Sequence, residues 1–211
     1  TDGLHIPVLD DRSSRILLAA SSLPDGYADK NPIKAALITA DEFTRRVHAG
    51  EVRGPPATNP LAGMATWEDA ATLIGYRVDP WIVQRGKNFK LSLYFQIKKP
   101  MSGSFKLFVH ADRGSNRIHT DHWPNAVTQG KEGKSCVGCF QTDHWMAGDI
   151  IVDTYERDVP FGTPTGETDL YLGFFNQDYN DKRVKVTSYD DKLVRYGGSD
   201  DRPRIGTFVI R

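Results

Sequence analysis

The sequence predicts a mostly β chain, an antiparallel sandwich of jelly-roll type preceded by an irregular N-terminal extension carrying one short helix. Three observations predict it. In Phe89–Ile97 the residues Phe89, Leu91, Leu93, Phe95 and Ile97 point one way, and Lys90, Ser92, Tyr94 and Gln96 the other, the period of a half-buried strand. Ser104–His110 repeats the pattern with Phe105, Leu107 and Val109 inward. Turn clusters such as Lys99–Gly103, Asp112–Asn116, Gly162–Gly166 and Gly197–Asp201 punctuate the second half at short intervals, as sandwiches require.

Residues 1–70 read as the extension. Within it Thr39-Ala-Asp-Glu42 is a capping box, in which the Thr39 hydroxyl accepts from the Glu42 N–H and the Glu42 carboxylate reaches back. Phe43 and Val47 fall four apart on one face, and Gly50 supplies a left-handed stop, which together predict a helix near 40–49. The Pro-rich stretch 54–60 reads as a linker to a sandwich over 71–211. Its strands are expected at 72–78, 89–97, 104–110, 149–159, 169–175, 183–187 and 205–210. Leu91, Leu93, Leu107 and Leu172 are expected in the core. Segment 117–148 lacks periodicity and exceeds an ordinary turn; its two Trp, three His and two Cys predict one ordered surface loop at an end of the sandwich.

Composition narrows the partners. Lys+Arg and Asp+Glu both number 27 in 211 residues, so no basic excess exists to neutralise phosphates or to bind an anionic membrane. Apolar runs such as Ile16–Ala20 fall far short of the roughly 20 residues a bilayer demands. The first residue is Thr1 rather than Met, which suits a processed N-terminus, and the expected location is periplasmic or extracellular.

Three stretches resemble a family of bacterial β-sandwich domains appended outside the cytoplasm to membrane-bound glycosyltransferase-like proteins. They are Leu73–Tyr76 with Leu91–Phe95; Phe108–Asp112 with Asp121–Pro124; and Trp145–Asp149, Asp153, Asp169–Phe174 and Arg183. The similarity spans roughly residues 72–187. It implies a non-catalytic, extracytoplasmic sandwich with an accessory role. The first 70 residues and the Cys136-Val-Gly-Cys139 stretch depart from that family's pattern.

The chemistry-bearing residues concentrate in the long segment, where Thr-Asp-His-Trp occurs at both 120–123 and 142–145. Cys136 and Cys139, with His119, His122 or His144, have the donor types of a zinc site. In an oxidising compartment the same two cysteines would instead form a local disulfide. A third reading is structural, with Trp123 and Trp145 plugging the core and Asp121 and Asp143 capping turns. Haem c attachment fails, because Phe140 follows the second cysteine. No nucleophile elbow, P-loop, dinucleotide fingerprint or HExxH is present. Asp149 and Asp153 are spaced to share a strand face, and Asp178, Asn180 and Asp181 have the oxygen donors of a calcium loop; an edge position and a solvated turn are the plainer readings.

The expected function is therefore a non-catalytic, exported binding or structural module, the accessory subunit of a larger membrane-associated assembly, with no nucleic acid and no cofactor. The alternatives are a metal-binding protein using the Cys136/Cys139/His loop and a glycan-binding sandwich. For a glycan, Trp123, Trp145 and Tyr94 are the stacking candidates, with Asp121 and Asp143 beside them. For a protein partner, residues 1–35 and 54–60 are natural arms.

Overall fold

The computed structural model describes residues 37–126, 128–129, 136–137, 139–176, 182–196 and 201–211. The first sheet runs, in spatial order, β1 (Leu37–Ile38), β10 (Ile150–Asp158), β5 (Asn88–Ile97), β3 (Ala71–Asp79), β2 (Ala65–Trp67) and β13 (Val186–Tyr189), all antiparallel. The second runs β4 (Ile82–Val83), β14 (Arg204–Ile210), β11 (Gly166–Asn176), β6 (Lys106–Arg113) and β7 (Asn116–His119). It is antiparallel except where β4 meets β14, and β12 (Lys182–Arg183) joins the end of β11. β8 (Thr128–Gln129) and β9 (Cys136–Val137) form a small separate hairpin. A helix, α1 (Ala40–His48), lies against the first sheet. No helix among the described residues is long and apolar enough to cross a membrane.

The two sheets face each other because their alternating apolar residues have nowhere else to go. Leu91, Leu93, Leu107 and Leu172 are all buried between them, with Phe95, Phe174 and Trp145 filling the centre. Full burial of each such side chain contributes about 1.5–3 kcal/mol. The opposite face of β5 departs from expectation, because Ser92 and Tyr94 are buried as well. For Tyr94 the cause is α1, whose Phe43 and Val47 form a second core with it and with Val52, Ile74, Ile150 and Val152.

The helix starts where the capping box places it, with the Thr39 hydroxyl accepting from the Glu42 N–H at 3.1 Å. The Glu42 carboxylate, however, is held by Arg45 at 2.9 Å and Arg46 at 2.7 Å, one turn further on. Those two guanidiniums hold its carboxyl down to about 2. Gly50, at φ +71°, ends the helix in the left-handed region.

Three boundaries differ from those the sequence predicts. β1 and β2 belong to the first sheet, so the sandwich recruits strands from before residue 71; residues 1–35 lie within the undescribed N-terminal stretch. The strand expected at 183–187 is two strands. Val184 donates to Phe174 in the second sheet, and Val186 already pairs with Trp67 in the first, so the chain crosses between layers at Lys185. The segment 117–148 is not one loop, as its first residues extend a sheet.

Candidate functional site

The pairing that begins as β7 does not stop at His119. Thr120 donates its N–H to the Val109 carbonyl at 2.9 Å, and His122 and Leu107 exchange N–H···O bonds at 2.9 and 3.0 Å. Residues 116–122 therefore run as one edge beside β6, and alternation sorts them. Ile118, Thr120 and His122 are buried, whereas Arg117, His119 and Asp121 are on the outer face.

On the inner side, His122 Nε2 lies 2.7 Å from Asp153 Oδ2, both side chains being only 1% exposed. Asp153 sits on β10 of the opposite sheet, so this pair bridges the sandwich. His122 Nδ1 stands 2.6 Å from the Thr120 carbonyl oxygen, which can only accept. Nδ1 therefore donates to that carbonyl, and Nε2 is left to the Asp153 carboxyl. Burial works against a charge on the ring, but the Asp153 carboxylate and the Thr120 carbonyl outweigh it and raise the His122 pKa. The second Asp153 oxygen accepts from the Asn125 N–H at 2.8 Å, and the His122 ring stacks on Tyr155 at 4.2 Å.

On the outer side, His119 and Asp121 meet His110, the outward residue of β6 that registers with His119. One donor atom from each of the three lies within 4.8 Å of the others. The rings of His110 and His119 meet edge to face with centroids 4.8 Å apart.

A separate feature lies on the outer face of the first sheet. Gln96, Thr72, Thr66 and Ser188 are register partners in turn, so four adjacent strands place four hydrogen-bonding side chains in one row. The Thr66 and Thr72 hydroxyls are 3.0 Å apart. These residues line an open cleft of about 320 Å³ together with Lys98, Tyr189 and Asp190. Tyr189 is half exposed at its rim, its ring braced edge-on by Tyr196 at 5.1 Å.

The residues singled out from the sequence are thus dispersed. His119 and His122, three apart, fall on opposite faces of one edge, and His122 has no nitrogen left for a metal. His144 and Asp143 are exposed on a single 3-10 turn (Thr142–His144). Cys136 pairs through its backbone with Gln129, and Cys139 is partly buried. Trp145 and Tyr94 are core residues, not surface ones: Trp145 is fully buried with its indole N–H donating to the Phe140 carbonyl at 2.9 Å, and Tyr94 packs on Phe43. Trp123 and Asp121 remain partly exposed. Asp149 accepts from the Met146 N–H at the start of β10, while Asp153 is consumed by His122, so the two carboxylates do not work as a pair. Residues 178, 180 and 181 lie outside the described residues. His110 and the Tyr189 cleft escaped the sequence reading. For His110 a signal existed, since it is the outward residue of a strand facing His119 across a short turn.

No family model matches the chain, and no curated protein is recognisably similar to it. Among solved structures, the fold is similar to the C-terminal domain of wzt, with 11% identity, 82% of this chain and 88% of that chain covered and a TM-score of 0.46. It is also similar to a Niemann-Pick type C2 protein from the Japanese carpenter ant, with 11% identity, 62% and 79% coverage and a TM-score of 0.33. Neither likeness is close enough to carry function to this chain.

Proposed function

We propose that the chain is a non-catalytic binding module that takes a hydroxyl-rich, carbohydrate-like ligand in the cleft on the first sheet. The observation that carries this reading is the row Gln96–Thr72–Thr66–Ser188, which lines one cleft together with the half-exposed Tyr189. A sugar offers a line of hydroxyls that donate and accept, together with an apolar C–H face. The row supplies amide and hydroxyl partners for the first, and a braced aromatic ring suits the second. Lys98 and Asp190 at the margin add charged partners, which strengthen such bonds.

The test is calorimetric titration with a panel of mono- and oligosaccharides, with binding mapped by amide shift changes. Tyr189→Ala is expected to weaken binding by at least about tenfold, on the scale of a lost aromatic contact, while Tyr189→Phe keeps it. Saccharides that shift no amide around Gln96 and Thr72, or binding indifferent to Tyr189→Ala, would overturn the reading.

The same proposal includes an extracytoplasmic location, an accessory role beside a larger membrane-associated assembly, and a Cys136–Cys139 disulfide. Two alkylatable thiols in protein purified from its native compartment would remove the disulfide from it.

A further inference from the structure

We infer that His110, His119 and Asp121 form a three-ligand site for a divalent transition-metal ion of the zinc type, on the outer face of the second sheet. The inference is independent of the saccharide cleft, which lies on the other sheet. Its first support is placement. Two neighbouring antiparallel strands present three side chains on one face, with their donor atoms within 4.8 Å of one another.

The second support is the state of His110. Its side chain is only 8% exposed, and Nδ1 has no hydrogen-bond partner. Nε2 approaches Asp121 Oδ1 only to 3.5 Å. A charge-assisted hydrogen bond between such groups closes to roughly 2.7–2.9 Å, as it does in the His122–Asp153 pair of this same chain. Two ligands of one tetrahedral zinc, each about 2.1 Å from the ion, stand about 3.4 Å apart instead. His110 and Asp121 are thus spaced like neighbours around a shared ion rather than like partners in a hydrogen bond. An imidazole buried with Nδ1 unpaired and Nε2 only loosely paired is costly, and coordination through Nε2 removes part of that cost.

The donor set selects the class of ion. Two imidazoles and one carboxylate suit zinc and its first-row neighbours, whereas magnesium and calcium call for oxygen donors alone. Three protein ligands leave at least one position open, and the exposed His119 places that opening on the solvent side. Phe108, its ring 5.3 Å from that of His110, forms an apolar wall beside the ligands.

The experiment is titration of the chelator-stripped full chain with zinc chloride by calorimetry, and with cobalt chloride by visible absorption. The wild-type chain is expected to bind one equivalent and to show the d–d bands of a low-coordinate cobalt site. His119→Ala and Asp121→Asn, both at exposed or partly exposed positions, are expected to keep the fold and to weaken binding by more than about tenfold, at least the scale on which even outer partners of a metal site act. A Cys136→Ser/Cys139→Ser chain is expected to bind as the wild type does. Absence of binding in the stripped wild type would overturn the inference. So would binding that the cysteine substitutions abolish and His119→Ala leaves intact.

Discussion

His122 and Asp153 meet at 2.7 Å across the interior of the sandwich, one from the extended edge of the second sheet and the other from β10 of the first. Apart from packing, this is a direct polar tie between the two layers. The pair is also completed by backbone, with the Thr120 carbonyl on one side and the Asn125 N–H on the other.

Breaking the pair from one side leaves a buried charge without its partner. His122→Ala is expected to destabilise the fold by about 3–5 kcal/mol. His122→Leu combined with Asp153→Leu is expected to recover most of that loss, since apolar replacement of a buried ion pair is often neutral. Urea denaturation of the single and double variants checks both. Additive losses in the double variant would mean that the two residues are not coupled.

Leu93 lies fully buried between the sheets. Leu93→Ala is expected to cost about 2–5 kcal/mol through lost transfer energy and the cavity left behind. The exposed Lys90 on the same strand should tolerate Ala within about 0.5 kcal/mol. Equal denaturation midpoints for the two variants would mean that the strand's register is one residue out.

Hydrogen bonds from Arg45 and Arg46 hold the Glu42 carboxyl down to about 2, against a usual value of 4.5. A carboxyl depressed on folding stabilises the folded state above its unfolded pKa. The contribution at the helix start is therefore expected in full above pH 4.5 and to fade as pH falls through about 2. Carboxyl carbon shifts followed by NMR should place the Glu42 midpoint well below the usual value, and Arg45→Ala with Arg46→Ala should bring it back up. A normal midpoint in the unsubstituted chain would remove the two ion pairs.

What the sequence made legible was whatever depends on local period. Phe89 to Ile97 alternate, and their inward set is the core; Thr39 caps a helix, and the helix is there, although the Glu42 carboxylate turns to Arg45 and Arg46. What it left hidden depends on partners distant in the chain. Tyr94 alternates outward, and only the arrival of Phe43 and Val47 from α1 buries it. His119-Thr-Asp-His122 looks like a compact ligand cluster when read as a loop. As an edge strand it distributes its histidines to opposite faces. The cleft was illegible for the same reason, since Gln96, Thr72, Thr66 and Ser188 become neighbours only through three strand pairings.

The edge from Asn116 to His122 also bears on which changes in length the chain can accept. A single residue inserted between His119 and His122 would turn one of them over, pointing the His119 ring into the core or lifting the His122 ring away from Asp153. Insertions or deletions there must come in twos to preserve facing, and even then they shift the pairing along β6. Among variants with altered spacing, those four positions should behave as an indivisible word, while substitutions that respect the spacing can alter one face without disturbing the other.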